Sequence, residues 1–450
     1  MATTVVDAHG LTGLSREAVE ALSRRKGEPE WMRAFRLAAW ETYERLPMPS
    51  RQDEEWRRTD LTTVRQRLER GQVRPWAEPE AGAEALRHAD ALSRELAGGD
   101  ERAGLVVQHN SAAIRQELAA SLAAKGVIFT DLDTAVREYP ALVQRHFMTE
   151  CVKPHDSKFA ALHAAFWSGG AFLYVPRGIE IALPLQAITY ADEAGLGLFN
   201  HSLVVLEPAS RVTFVESVAS GEAHGEGFAS DVTELIVGDG AGLRCIHLQE
   251  WGPRVQSFSL QRVQLHRDAT INWLVVTLGG RLSRADVQAY LNGPGATAEM
   301  LGIFFADGRQ HFDHHTRQVH NAPHASSDLL YKGTLNDQAR SVFSGLIQVA
   351  PGAQKTDAYQ LNRNLLLSDK ARADSIPNLE IGANDVRCTH GASVGPVDKE
   401  HLFYLMSRGL TRAEATRMIV DGFFEPVVAR IPLAGVRDRL WGSIERKMRL

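Results

Sequence analysis

A turn followed by a short strand recurs along the middle of this 450-residue chain, and it restricts the possible folds more than any other feature. The unit reads EPASRVTF at Glu207–Phe214, GDGAGLRCI at Gly238–Ile246 and RDATINW at Arg267–Trp273. GPGATAEM at Gly293–Met300, NDQARSVF at Asn336–Phe343 and SDKARAD at Ser368–Asp374 continue it. The alanines that align, Ala209, Ala241, Ala269, Ala296, Ala339 and Ala371, lie 32, 28, 27, 43 and 32 residues apart. A supersecondary unit recurring at about 30 residues is the mark of stacked coils. A small residue at the turn lets neighbouring coils approach, and the strand after it extends a ladder. The reading is a β-solenoid, with the wide step before Ala339 taken as an insertion holding a histidine-rich segment. A β-sandwich is the competing architecture, since both classes use these turn residues.

The mainly β core has helical ends. Pro29 suits a helix start, and Met32, Phe35, Ala39, Tyr43 and Leu46 follow at helical spacing until Pro47 and Pro49. Residues 77–100 read as a further helix or a loose connector. A small α/β cap follows, with a strand at Leu105–Val107, a helix over Ser111–Ala124, a strand at Val127–Phe129 and a helix through Arg145. No long helix is expected from Lys158 to Val397. Asp398 caps a helix ending at Gly409, and the Thr411/Glu414 capping box opens another that Gly422 ends. The last helix finishes in the basic Arg446, Lys447 and Arg449. Three regions result: 1–157, 158–397 and 398–450. The basic, aromatic-bearing last region fits a partner or covers the open end of the solenoid.

A net charge of −5 gives no global case for nucleic-acid binding. No apolar run approaches the roughly 18 residues that span a bilayer, and Met1–Gly10 lacks the apolar stretch of a signal peptide. Cys151, Cys245 and Cys388 are sparse and far apart, which fits a reducing compartment. The expected location is the cytoplasm.

His311, Asp313 and His315 would share one face of a strand, where imidazole and carboxylate suit a divalent metal. This is the basis of an alternative reading as a metal-dependent β-solenoid enzyme. Histidines also serve as plain hydrogen-bond partners in such ladders. Gly391-Ala-Ser393-Val-Gly395 matches the spacing of a nucleophile elbow, yet Pro396 follows where a helix would have to begin. The glycines at 238, 240, 242, 293 and 295 lack phosphate-loop spacing and read as turns. Cys388 and His390, at i and i+2, would share a face, and both are good iron ligands. Two ligands do not hold a cluster, so that chemistry requires more from a second chain.

Several segments together resemble the SufB/SufD family of iron–sulfur cluster assembly proteins, the SufD branch more closely. They are GEPEWM at Gly27–Met32, EEWRRTDL at Glu54–Leu61, KFAALHAAFWSGG at Lys158–Gly170 and YVPRG at Tyr174–Gly178. NRNLLLSD at Asn362–Asp369, PNLEI at Pro377–Ile381, CTHGASVG at Cys388–Gly395 and LFYLMSRG at Leu402–Gly409 complete the series in order. The resemblance implies a right-handed parallel β-helix between helical ends and a non-catalytic scaffold. It also implies pairing with a SufB homologue through the β-helices and binding of the ATPase SufC through residues 399–450. A transient iron–sulfur cluster would form at the SufB–SufD interface with His390 as the matching histidine and Cys388 beside it. SufB carries a cysteine in the segment where this chain has Asn362, which favours SufD. The resemblance leaves open a homodimer in the absence of SufB and a flavin in the complex, for which no residue here is assigned.

Overall fold

The computed structural model describes residues 13–77, 83–97, 101–221 and 225–448. Met1–Gly10 and Arg449, named above, lie outside the described residues. The core is a parallel β-helix whose strands alternate between a ten-stranded and a nine-stranded sheet. One sheet carries Arg211–Ser220, Gly242–Glu250, Thr270–Thr277, Thr297–Ala306, Ser326–Leu335, Asp357–Leu366 and Arg387–Pro396, each beginning 27 to 31 residues after the one before. The other carries the intervening strands, from Gly197–Leu206 to Arg372–Ile381. All these neighbours pair in parallel, as stacked coils require.

The repeat seen in the sequence is real, but two details change. Arg211 pairs with Gly242, so the partner of Ala241 in the stack is Ser210 and not Ala209. The buried small-residue column runs Ser210, Ala241, Ala269, Ala296 and Ala325. Ala339 and Ala371 precede strands of the opposite sheet. The 43-residue step is therefore a change of corner with no insertion: the histidine-rich segment is the regular strand His311–His320. Beside the small column, Ala209, Gly240, Asp268, Gly295, His324 and Lys355 all have φ between 52° and 76°. Such a conformation costs a non-glycine residue roughly 1–2 kcal/mol. It is held by a cross-coil bond from each of these N–H groups to a carbonyl of the next turn, at 2.6 to 3.4 Å.

Helices cover the outer faces of both sheets. Arg16–Lys26, Glu30–Arg45 and Thr62–Glu69 lie with Lys158–Phe166 against the nine-stranded sheet, where Trp56, Phe159 and Phe258 stack. The stretch from Lys158 opens with the short helix Lys158–Phe166; Ser157 caps it, and its eight residues from Phe159 onward are all buried. The 77–100 stretch contains the helix Ala83–Ala97, which packs with Arg412–Val428 and Ala434–Met448 on the ten-stranded sheet. The expected helix at Ser111–Ala124 is instead the strand Ala112–Leu118 and one short turn of helix, Ala120–Ala123. That strand forms a hairpin with Gly104–His109, which itself joins the ten-stranded sheet. At the other end Gly422 does not stop its helix, which continues through Pro426 to Val428 with Phe424 buried on the sheet. These C-terminal helices cover the flank, and they leave the last coil open.

Candidate functional site

Arg372–Ile381 and Arg387–Pro396 end their sheets, so each has one backbone edge without a strand partner. Along Asp357–Leu366, the buried Ala358, Gln360, Asn362 and Asn364 alternate with more exposed Tyr359 and Arg363. This alternation identifies the row that faces the interior. The register sets Cys388 on Ala358, His390 on Gln360 and Ala392 on Asn362. Cys388 and His390 therefore continue the interior row at the place where the coil stack stops. His390 is exposed there, while Cys388 is half-buried against Ile347, Ala353, Ala358 and Ala383.

Amides form the floor beneath His390. Gln360 Nε2 donates to Gly345 O at 3.5 Å and Asn378 O at 3.4 Å. Asn362 Oδ1 accepts from Asn364 Nδ2 and Ser375 Oγ, each at 2.7 Å, and its Nδ2 donates to Tyr331 O at 3.3 Å. Asn362 is thus a fastened hydrogen-bonding residue with no thiol to offer. Burial, followed by the nearby Asp357 carboxylate, pushes the Cys388 thiol up from its ordinary value, so it is protonated at neutral pH. A protonated thiol is a weak metal ligand and nucleophile.

The other sequence candidates take different places. His311, Asp313 and His315 do lie on one strand, and Asp313 is enclosed. Its Oδ2 accepts from Arg284 and from Thr59 Oγ1, and His315 Nε2 lies 3.0 Å from Oδ1. Burial opposes ionisation of Asp313, yet the Arg284 guanidinium and His315 outweigh it and hold the carboxyl well below the usual range. Arg284 lies 3.7 Å over the Trp56 ring and donates to Glu55 O. The trio thereby fastens the N-terminal segment to the solenoid. Among the described residues no group of three or more His, Cys, Asp or Glu side chains is placed to hold a metal. Ser393 sits within an extended strand, with the next helix beginning at Lys399.

A buried polar network went unforeseen. His163 Nε2 and His201 Nδ1 are 3.1 Å apart, and His201 Nε2 is 3.0 Å from Glu234, which accepts from the Met148 and Val152 N–H groups. His247 and Glu216 form a second pair at 3.1 Å. Burial pushes His201 down to about 3 and Glu234 up to about 8. The signal was present as polar residues at matching places in successive coils, such as Asn200, Asp231 and Ser259, but it needs the register to be read.

Family comparisons fit this architecture. Residues 188–423 match the model for the SufBD core domain of SUF-system iron–sulfur cluster assembly, and residues 101–187 match the SufBD N-terminal region. The chain belongs to the SufB/SufD family. The iron–sulfur cluster assembly protein SufD of Bacillus subtilis is 33% identical over 97% of this chain and 98% of its own length. SufB of the same organism is 32% identical over 94% of this chain and 90% of its own. A SufBD family protein of Staphylococcus epidermidis matches at 32% over the same shares. Within the SufB/SufD family the chain is most like SufD, and its role lies in iron–sulfur cluster assembly. No described helix is long and apolar enough to cross a membrane.

Proposed function

We propose that this chain is the SufD-type scaffold of a cytoplasmic iron–sulfur assembly complex, supplying one ligand to a cluster that is its cargo. The observation that carries this reading is the unfinished coil. Two adjoining strands of ten residues end the sheets with free backbone edges, and His390 stands on the interior row between them. Free edges of this length are templates for pairing with another chain. Leu379, Ile381 and Val394 are large apolar side chains exposed on these same strands. A SufB-type β-helix docked there would bury them and bring its own thiolates to His390. In its absence, a second copy of this chain would fit the same edges.

The helix Lys399–Ser407 follows directly, with Phe403 74% exposed and Tyr404 56% exposed. Exposed aromatics on a helix next to the coil end support its use as a grip for the ATPase SufC. Hydrolysis of ATP would then belong to that partner, and this chain would be a non-catalytic scaffold. Co-expression with SufB and SufC homologues tests the assembly. A stable ternary complex on gel filtration is the expected result, and a chain that elutes alone contradicts it. Phe403→Ala with Tyr404→Ala should release SufC while SufB stays bound.

A further inference from the structure

On the flank away from the coil end, the turn corners of three successive coils carry Arg254, Arg281 and Arg309. They line one cleft of about 500 Å³ with Arg67, Asp60, Glu226 and His311. Coils stack at roughly 4.8 Å, so Arg254 and Arg309, at matching register positions two coils apart, have backbones about 10 Å apart, and Arg281 lies on the coil between them, one residue further along. Among the described residues, none of the three makes an ion pair or a side-chain hydrogen bond. The two carboxylates do not balance them. Asp60 is taken by Arg51 at 3.1 Å and by Thr62, and Glu226 lies beside Arg67. Arg67 is itself committed, donating to Glu226 O, Gly227 O and Gln256 Oε1. His311 closes the floor, its Nε2 at 3.3 Å from Thr59 Oγ1.

Three unpaired cations lining one cleft repel one another, and the cleft is basic on a chain whose net charge is −5. The planar fork of arginine fits phosphate oxygens in pairs, and it does so better than a point charge would. From these three forks on successive coils we infer that the cleft is a binding site for a small molecule bearing a diphosphate group. A diphosphate offers two linked phosphate groups to forks carried on separate coils, whereas inorganic phosphate offers one. Nothing in this site draws on the coil end or on His390, so it is separate from the assembly reading.

Titration calorimetry of the full chain at low ionic strength, with pyrophosphate and then with inorganic phosphate, tests it. Pyrophosphate should bind, and inorganic phosphate should bind about ten-fold more weakly. Arg281→Gln and Arg309→Gln should each weaken pyrophosphate binding by about ten-fold. Arg281→Lys should fall between wild type and Arg281→Gln. Arg211→Gln removes the same charge from the opposite sheet and should leave binding unchanged. All three positions are exposed turn or strand-end residues, and unchanged thermal unfolding of each of the four variants shows that the fold is retained. Absence of pyrophosphate binding at millimolar concentration overturns the inference. So does equal weakening by Arg211→Gln, which would reduce the effect to overall charge, and so does equal affinity for the two anions.

Discussion

Asp313 and Arg284 show how a site-like cluster can be structural. The two side chains are 1% and 6% exposed, and the pair sits under Trp56. Removing one member of a buried ion pair strands the other, at a cost of about 3–5 kcal/mol, whereas replacing both with apolar residues is often neutral. Asp313→Ala should therefore lose stability on that order in urea denaturation, and Asp313→Leu with Arg284→Met should recover most of it. The pH dependence has a definite sign. The folded-state value of Asp313 lies below its ordinary 3.8, so its contribution is present above that value and lost as pH falls below it. Asp313→Leu/Arg284→Met should show a shallower acid-side loss than wild type. Cys388 supplies a second pH test. Its raised value means slow alkylation by iodoacetamide at pH 7 and acceleration as pH rises past 9. Fast alkylation at pH 7 would contradict the protonated thiol. The one-strand placement of His311, Asp313 and His315 was legible from alternation alone. Their partners were not, because Thr59 and Arg284 are 254 and 29 residues away from Asp313 in sequence.

The coil corner is the element that makes the stack possible. Ala241, Ala269 and Ala296 are at most 1% exposed, each beside a left-handed turn residue whose N–H bonds to the next coil. Ala269→Leu would force added methylenes between coils, and overpacking of this kind costs about 1–3 kcal/mol. Equilibrium unfolding should show that loss, while Ala120→Leu, in the exposed one-turn helix, should change little. Tight turns and small residues made the repeat readable in the sequence. Its phase was not, since Ala209 lies one residue out of register at the same corner and Ala339 lies at the opposite corner. The strand Ala112–Leu118 was hidden for a different reason: its alanines, Glu117 and Arg115 favour a helix locally. Pairing with Gly104–His109 overrides that preference. Gly422 misled in the same way, because burial of Phe424 and Val427 carries the helix past it.

Across the whole molecule, a polar and apolar interior lies between two sheets, and helices cover both flanks. At the coil end this plan is left incomplete, and there the fold presents edges, apolar side chains and an imidazole together. The covered flanks were only partly legible from sequence, where the C-terminal helices suited a partner or the open end equally. The structure puts Arg412–Val428 and Ala434–Met448 on the ten-stranded sheet, fixed by Arg439 to Glu250 and by Lys447 to Asp307 at 2.6 Å. The family resemblance singled out His390, and the register supplies the physical reason it matters: it stands on the interior row of a strand with one unpaired edge. The decisive measurement is anaerobic assembly with SufB and SufC homologues, comparing wild type with His390→Ala for subunit ratio, iron and sulfide. The expected result is an intact complex in the variant with most of its bound iron and sulfide gone. Undiminished iron and sulfide in the intact variant complex would contradict it.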